Sequence, residues 1–487
     1  MNDKVIEALA LQAAALRRAG RVVEAITAYE TLLALRPELA ESWYNLGWLL
    51  RQARRFEAAL AAYQQALDRG VSMPEEVHLN RAVILSDHLS RSGQAADELR
   101  KALATNPEYV PALLNLGNLE EDLGARDQAK ICYERALILD PDNVLALARS
   151  AGLVDAGPAN ASFVARLRSM LESSQLTAAD RADLGFALGR LFDAAGQFDP
   201  AFAAYAAANK ASSRSAIEDG YPRYDAGHHE DLVDRLILTF ARPVEPLAGS
   251  PDPVPLFICG MFRSGSSLTE QILASHSRVV AGGERDLIPS IIASQLQPYP
   301  QACEGLSPPD RDRLRRLYID GLGPPSREDR IVTDKRPDNF LHVGLIKVMF
   351  PTAKIIHTRR QPLDNILSLY FLHLNPQMSY GSDLLDAAHW YRQYRRLMEH
   401  WTALYPDDIF DLDYDALVAD PRPVVAALLA FCGLQWEDDC LVPHRAPGTV
   451  KTASVWQVRE PLYRRSSGRW RNYERHLRSL RPLLRDL

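Results

Sequence analysis

The sequence predicts a multidomain protein in which an all-α helical solenoid precedes an α/β domain with a parallel sheet. The first indication is that residues 5–143 repeat with a period of about 34 residues. The second is a proline-rich stretch, residues 241–253, that separates two differently patterned regions. The third is the alternation of short apolar runs with helical patterns from residue 254 onward, as expected of a parallel sheet covered by helices.

The composition is that of a soluble globular protein. The 487 residues exceed one ordinary core and suggest about two or three domains. Hydrophobic residues make up 47% and charged residues 24%, and the net charge of −6 gives no reason to expect a nucleic-acid partner. The five cysteines are odd in number and form no Cys-x-x-Cys pair, which argues against a disulfide framework or a cysteine zinc site.

The chain carries no pattern typical of export or membrane insertion. No window approaches about 18 uninterrupted apolar residues, so no transmembrane helix is expected. The N-terminal residues lead into an amphipathic helix and do not resemble a signal peptide. A cytoplasmic location without a membrane span is therefore expected.

The N-terminal region repeats in helix–turn–helix units. Residues 34 positions apart match in the pairs Ala25 and Ala59, Tyr29 and Tyr63, and Pro107 and Pro141. Segments 41–47 and 110–117 resemble the opening of a tetratricopeptide repeat, and Ala59, Tyr63 and Ala66 resemble its second helix. Four units fit, at residues 5–37, 38–73, 74–107 and 108–141, the third least well because Gly93 lies out of phase with Gly124. Residues 1–143 are therefore predicted to be tetratricopeptide repeats.

The next segment, residues 144–240, stays helical but loses the strict period. One further repeat-like unit is marked by Leu184, Gly185, Gly196, Ala201, Tyr205 and Ala208. We therefore interpret 144–240 as degenerate helical repeats that connect the solenoid to the second domain. Residues 241–253, with four prolines and a glycine, are predicted to be a linker. The α/β domain would then occupy residues 254–487.

The α/β domain is predicted from its order of strands and helices. Strand candidates are residues 254–259, 278–281, 330–333, 353–358 and 408–412. Helix candidates are residues 267–275, 286–296, 309–321, 339–349, 363–373, 383–404 and 421–432. Ligands of such sheets bind at the C-terminal ends of the strands, so the motifs at those ends are the candidates for function.

The first such motif follows the strand that begins near Pro255. Gly260 and Gly265 are spaced as in a phosphate-binding P-loop, but position 266 is Ser where that motif needs Lys. Backbone amides at the start of the next helix would still bind an anion, and Arg263 adds a fork-shaped donor. The loop therefore indicates a phosphorylated ligand and argues against ordinary ATP or GTP hydrolysis. A plain strand-to-helix turn is the alternative.

Two further motifs place ionisable residues at strand ends. Glu284 follows two glycines and could act as a general base, or could be a glutamate favoured by the dipole of the following helix. Lys335 lies where a strand meets a turn and could reach an anion, or could be a solvated charge in a surface loop.

Two basic motifs lie later in the chain. Arg360 and Ser368 are eight residues apart, before and within a predicted helix, so they could clamp one phosphate. Residues 452–473 contain five arginines, two tryptophans and two tyrosines. One such segment in an acidic chain is better explained by a multiply charged ligand than by nucleic acid.

These motifs together resemble the sulfotransferases. The segment Arg-Ser-Gly-Ser-Ser-Leu at 263–268 resembles their 5′-phosphosulfate loop, commonly Arg-Ser-Gly-Thr-Thr-Leu, and the spacing of Arg360 and Ser368 is similar to their 3′-phosphate motif. Glu284 and Lys335 resemble the base and the catalytic lysine of the protein-tyrosine sulfotransferase branch. The resemblance covers residues 254–475 with the motifs in the family's order. An N-terminal tetratricopeptide array is similar to a bacterial group of such enzymes.

The resemblance implies the donor 3′-phosphoadenosine 5′-phosphosulfate, which has no γ-phosphate and needs no metal. It implies that Glu284 takes the acceptor's proton and that Lys335 neutralises charge on the bridging oxygen. The implied donor-binding residues are Arg263, Ser264, Gly265, Ser266 and Ser267 for the 5′-phosphate, Arg360 and Ser368 for the 3′-phosphate, Tyr414 beside the adenine, and Ser454 with Arg459 late in the chain.

The acceptor stays open at this point. Position 286 is Asp where the animal tyrosine enzymes have an Arg for acidic peptides, which puts a preference for acidic acceptors in doubt. A protein tyrosine recruited by the repeats, a small hydroxylated molecule or a glycan would each fit, and an oligomer is possible. A repeat scaffold with an inactive nucleotide-binding domain and a P-loop kinase are the alternatives. Glu284 and Lys335 argue against the first, and Ser266 against the second.

Overall fold

The computed structural model describes residues 3–89, 91–154, 161–245, 254–322, 330–445 and 455–484. The chain forms two compact units, Met1–Leu153 and Val154–Leu487. Most of the predicted linker, residues 246–253, lies outside the described residues, and the domain boundaries expected from the sequence stay predictions. No helix in the described ranges is both long and apolar enough to span a membrane.

The first unit consists of antiparallel helix pairs, as the repeats predict. Its helices are α1 (Asp3–Arg18), α2 (Val22–Leu35), α3 (Ala40–Gln52), α4 (Phe56–Asp68), α5 (Pro74–Val83), α6 (Ser92–Thr105), α7 (Val110–Leu123), α8 (Arg126–Leu139) and α9 (Val144–Leu153). Each predicted unit corresponds to one pair, from α1 with α2 to α7 with α8.

A glycine facing a tyrosine explains the close approach of the two helices in a pair. A Cβ on Gly47 would lie 2.7 Å from the ring of Tyr63, and a Cβ on Gly117 would lie 2.5 Å from the ring of Tyr133. Both tyrosines are completely buried. The small residue on one helix therefore makes room for the large residue on the next, which is the packing that the repeat pattern encodes.

The third unit departs from the others where the sequence fits least well. Its first helix, α5, runs into a π-helical turn at Ile84–His88, in which the amide of Leu89 donates to the carbonyl of Ile84 at 3.2 Å. A π turn adds a residue to a helix, and here it lies just before Gly93, in the unit whose repeat pattern fits least well.

Replacing Gly117 with alanine is expected to lower the free energy of unfolding by about 1–3 kcal/mol, because the added Cβ would overlap the Tyr133 ring. Gly93 provides the matched control. It also lies in a repeat helix, but a Cβ there would meet nothing within 4 Å, so alanine should stabilise the helix by up to about 1 kcal/mol. Urea unfolding measures both variants, and equal effects would contradict the role of Gly117.

The second unit begins with four helices: α10 (Ala161–Leu171), α11 (Ala178–Ala194), α12 (Phe198–Glu218) and α13 (Ala226–Thr239). Helices α11 and α12 repeat the packing seen in the first unit, because a Cβ on Gly189 would lie 2.7 Å from the ring of Tyr205. The glycine that faces this tyrosine is thus Gly189 and not Gly185, which instead packs against Ala208.

The sheet has five parallel strands, which confirms the predicted α/β fold. They are β1 (Leu256–Gly260), β2 (Val279–Val280), β3 (Ile331–Lys335), β4 (Ile355–Arg359) and β5 (Ile409–Asp413), in the order β2-β3-β1-β4-β5. The strand β1 therefore lies between β3 and β4, and the chain passes from one side of it to the other. Such a change of direction opens a crevice at the C-terminal ends of the strands.

Helices cover the sheet at the predicted places, with two differences. They are α14 (Ser266–Ala274), α15 (Leu287–Gln295), α16 (Pro308–Leu322), α17 (Val343–Met349), α18 (Pro362–Tyr370), α19 (Leu384–Leu404), α20 (Tyr414–Ala419), α21 (Pro421–Phe431) and α22 (Val455–Val458). The helix predicted at 339–349 begins as a 3₁₀ turn, Pro337–His342, with Pro337 at its start. The short helices α20 and α22 were not predicted.

The helices that precede the sheet pack on the helices that cover it. The rings of Tyr205 and Phe371 stack with centroids 3.9 Å apart. The buried Asn209 donates to the carbonyl of Tyr370 at 2.8 Å. A Cβ on Gly344 would lie 2.4 Å from the ring of Phe240, so α13 and α17 also meet closely. The helical segment is therefore part of the same compact unit as the sheet.

Candidate active site

A cleft opens at the C-terminal ends of β1, β3 and β4. Its empty volume, including the open mouth, is about 810 Å³. Eight of the candidate residues line it: Arg263, Gly265, Ser266, Ser267, Glu284, Arg360, Ser368 and Tyr414. Lys335 does not line the cleft but contacts Glu284 from behind.

The loop between β1 and α14 has an unusual backbone. Arg263 has a φ of +71° and Gly265 a φ of +104°, and the first is a conformation that side chains rarely adopt. The strain is balanced by a bond from the side-chain amide of Asn365 to the carbonyl of Phe262 at 3.1 Å. Helix α14 begins at Ser266 without a capping side chain, so its first amides are free to bind an anion.

Ser264 supports this loop from below and does not line the cleft. Its side chain is buried, and its hydroxyl lies 2.6 Å from the hydroxyl of Thr358 on β4. The contact ties the loop to the neighbouring strand. Ser264 is thus placed to hold the loop in shape, while the residues beside it face the ligand space.

Positive charge is concentrated in the cleft. Burial, reinforced by the charge of the neighbouring Arg360, lowers the pKa of Arg263 to about 10. Its guanidinium donates to the hydroxyl of Ser368 at 3.1 Å and to the side chain of Gln457 at 2.7 Å. Cations held this close together are a feature of sites that bind anions.

Tyr414 forms one wall of the same site. The guanidinium carbon of Arg360 lies 5.0 Å from the centre of the Tyr414 ring, within the range of a cation–π contact. A Cβ on Gly265 would lie 2.7 Å from the same ring, so only glycine allows the loop and the tyrosine to meet this closely. An aromatic ring between the loop and an arginine offers a flat surface to a base.

Glu284 and Lys335 form an ion pair at the edge of the cleft, with Nζ and Oε1 2.5 Å apart. The Lys335 side chain is completely buried, whereas 37% of the Glu284 side chain is exposed. A carboxylate that reaches the cleft is thus backed by an ammonium group that water does not reach. Lys335 is therefore not the solvated surface charge that the sequence left open.

The position of Glu284 is set by the segment before it. The amide of Gly283 donates to the buried carboxylate of Glu270 at 2.9 Å, and the amide of Gly282 donates to the hydroxyl of Thr333 at 3.0 Å. The amide of Lys335 donates to the carbonyl of Gly283 at 3.0 Å. Because these bonds join the segment to both α14 and β3, Glu284 is presented from a fixed backbone.

The C-terminal segment Val455–Leu484, called here the strap, forms the remaining wall. Its residues on the cleft are Gln457, Val458, Glu460, Leu462, Tyr463, Ser466 and Arg469. Asp364 of α18 fixes the strap by accepting from the amides of Gly468 at 2.5 Å and Trp470 at 2.7 Å. The stretch rich in arginine and aromatic residues marked this segment in the sequence but not which of its residues face the cleft.

Besides Ser264, two predicted donor-binding residues are not placed in the cleft. Ser454 lies outside the described residues. Arg459 is half-buried on the strap but does not line the cleft, which is lined instead by Arg469. Within the described ranges, no group of three or more His, Cys, Asp or Glu side chains could hold a metal ion.

Three regions of the chain match models of known families. Residues 255–438 match the model of the sulfotransferase family, and residues 11–74 and 110–143 match models of the tetratricopeptide repeat. An uncharacterized protein of Aquifex aeolicus (strain VF5) is 31% identical over 427 residues, which cover 84% of this chain and 55% of that protein. The chain therefore spans about half the length of that relative.

Solved structures with some similarity include two sulfotransferase domains. The domain from the Synechococcus PCC 7002 olefin synthase is 20% identical and covers 47% of this chain and 91% of its own, with a TM-score of 0.34. The domain from the curacin biosynthetic pathway is 17% identical and covers 47% and 98%, with a TM-score of 0.34. From the matched family models, the protein carries tetratricopeptide repeats followed by a domain that belongs to the sulfotransferase family.

Proposed function

We propose that the protein transfers a sulfuryl group from 3′-phosphoadenosine 5′-phosphosulfate to a hydroxyl group of an acceptor. The observation that carries the proposal is one cleft that combines a strained loop, clustered arginines and the Glu284–Lys335 pair. The sulfotransferase match of residues 255–438 supports the same reaction class.

The donor would lie along the loop, with its adenine against Tyr414. The 5′-phosphate would be held by the α14 amides, Arg263, Ser266 and Ser267, and the 3′-phosphate by Arg360 and Ser368. Support for neighbouring phosphate sites comes from the bond between Arg263 and Ser368, which joins the two proposed sets. A donor with two separate anionic groups would match two arginines, Arg263 and Arg360, that lie close together in the cleft.

The chemistry would be an in-line transfer assisted by a base and a cation. The acceptor oxygen forms a bond to sulfur, its proton passes to Glu284, and the bond to the bridging oxygen breaks to release 3′,5′-adenosine bisphosphate. Lys335 would stabilise the charge that develops on that oxygen. As Glu284 takes the proton it loses its charge, so Lys335 is released from its partner while negative charge grows on the leaving group.

The charged residues near Glu284 bear on which acceptor would bind there. Asp286 pairs with Arg336 at 2.5 Å, and Arg336 also pairs with Asp338 at 2.7 Å. Two carboxylates therefore share one arginine near Glu284, a distribution that does not favour acidic peptides. We propose a neutral or basic acceptor, either a tyrosine-bearing protein recruited by the repeats or a hydroxylated small molecule.

Calorimetric titration with 3′,5′-adenosine bisphosphate, beside ATP with Mg²⁺, tests the donor. Tight binding of the bisphosphate and none of ATP is expected, because the loop lacks the lysine that a γ-phosphate requires. A preference for ATP would instead indicate a P-loop kinase. Binding of neither nucleotide would favour an inactive domain attached to a repeat scaffold.

Replacing Arg360 with alanine is expected to weaken binding of the bisphosphate by about tenfold to a hundredfold, the range for one charge-assisted hydrogen bond. Binding of 5′-AMP should change little, because it lacks the 3′-phosphate. Arg359→Ala is the matched control, since this neighbour lies near Asp411 and Asp413 and does not line the cleft. Equal losses for both nucleotides would contradict the assignment of Arg360.

A further inference from the structure

The strap that closes the cleft is held by the helical segment that precedes the sheet. Asp193, near the end of α11, accepts hydrogen bonds from Arg469 through one carboxylate oxygen and from the hydroxyl of Tyr473 through the other. Only 18% of the Asp193 side chain is exposed. A carboxylate from the last repeat-like helix pair thus contacts a segment about 280 residues later in the chain.

Arg469 connects this contact to the cleft. Its side chain lines the cleft, and its positive charge contributes to the lowered pKa of Arg263. Burial alone would lower the pKa of Arg469, but the Asp193 carboxylate more than offsets this and raises it above its ordinary value. The guanidinium carbon also lies 5.2 Å from the centre of the Phe371 ring. Arg469 is therefore held between a carboxylate and an aromatic ring.

The other partner of Asp193 is immobilised by packing. Tyr473 is completely buried, and its ring packs against Phe198, Phe202 and Phe371 with centroids 5.4, 6.3 and 4.8 Å away. The first two phenylalanines belong to α12. The immobile hydroxyl of Tyr473 holds one carboxylate oxygen of Asp193, so the other oxygen has a fixed position. That position determines where the Arg469 guanidinium lies.

We propose that Asp193 is a positioning residue of the donor site, which orients Arg469 toward the bound anion. The helix pair α11–α12 is then a functional part of the donor site and not only a connector. The inference rests on the proposed function, because it assumes that the cleft binds the phosphorylated donor. It adds a residue from outside the region that matches the sulfotransferase family, residues 255–438.

The same helix offers a matched control. Asp183 on α11 pairs with Nδ1 of His373 at 2.8 Å, so it also joins the helix to the sheet domain, but neither residue lines the cleft. In the full-length protein, Asp193→Asn is expected to weaken binding of 3′,5′-adenosine bisphosphate about tenfold in calorimetry, because the amide removes the ion pair with Arg469 and offers one acceptor oxygen to two donors. It should raise the donor KM by a similar factor with little change in kcat. Asp183→Asn should alter neither value by more than about twofold.

A double variant distinguishes positioning from simple docking. If Asp193 acts through Arg469, then Asp193→Asn combined with Arg469→Gln should bind the bisphosphate no more weakly than Arg469→Gln alone. Additive losses, or equal losses for Asp183→Asn and Asp193→Asn, would show that α11 only docks and would overturn the inference. Thermal unfolding of each variant verifies that it is folded. Failure of the wild-type protein to bind the bisphosphate would contradict the proposed function itself, whereas binding that Asp193→Asn leaves intact would contradict this inference alone.

Discussion

Glu284→Gln is expected to lower the rate of sulfuryl transfer by about 10²–10⁴-fold, the usual contribution of a general base. Binding of 3′,5′-adenosine bisphosphate should stay within about twofold of the wild-type value, because the phosphate-binding residues lie elsewhere in the cleft. Glutamine keeps the shape of the side chain and an oxygen that accepts from the buried Lys335 ammonium. What it removes is the ability to take a proton.

The substitution also removes the negative charge beside Lys335. The effect of losing this charge has to be distinguished from the effect of losing the base. A buried cation without a counter-ion is destabilising, so the melting temperature of the variant should fall. Single-turnover kinetics with donor in excess, measured well below that temperature, report the chemical step. Glu304→Gln is the control, since this exposed glutamate accepts from Thr239 outside the cleft. Transfer within about threefold of wild type would rule out Glu284 as the base.

The predicted motifs that the structure brings to the cleft are short and local. The loop from Gly260 to Ser267 lies in a strand–turn–helix unit, whose geometry depends on neighbouring residues. Glu284 follows β2 and Lys335 is the last residue of β3, and the parallel order of the strands brings their ends together. Their direct contact was not predicted from the spacing, because it depends on the pairing of the segment before Glu284 with β3.

The strap was harder to predict because its contacts are remote in sequence and partly made by the backbone. Asp364 binds amides of residues more than 100 positions later, and no side-chain pattern marks such a bond. The family resemblance pointed to Arg459, whereas Arg469 lines the cleft. A sequence with five arginines in this stretch indicates a basic wall, but only the anchoring by Asp193 and Asp364 determines which of them faces inward.

Gly260→Ala is expected to abolish donor binding, with a loss of more than about a hundredfold, because the loop would lose its position. Gly260 has a φ of +146°, and a Cβ there would lie 2.2 Å from the carbonyl oxygen of Thr358 and 2.9 Å from the hydroxyl of Ser264. Gly260 and Thr358 are paired in the ladder between β1 and β4, so the carbonyl cannot retreat without breaking the sheet. The loop must move instead, and the bond between Ser264 and Thr358 breaks with it.

Gly305→Ala separates the cost of the backbone conformation from the effect of the collision. Gly305 has a φ of +68°, but a Cβ there would meet nothing within 4 Å, so only a conformational cost of about 1–2 kcal/mol is expected. Gly260→Ala should add about 1–3 kcal/mol of overpacking to a similar cost. Urea unfolding and calorimetry with the bisphosphate measure the two effects at a temperature where both variants are folded. If Gly260→Ala binds the bisphosphate as well as Gly305→Ala does, the loop tolerates displacement, and the close contact with β4 is not what shapes the phosphate site.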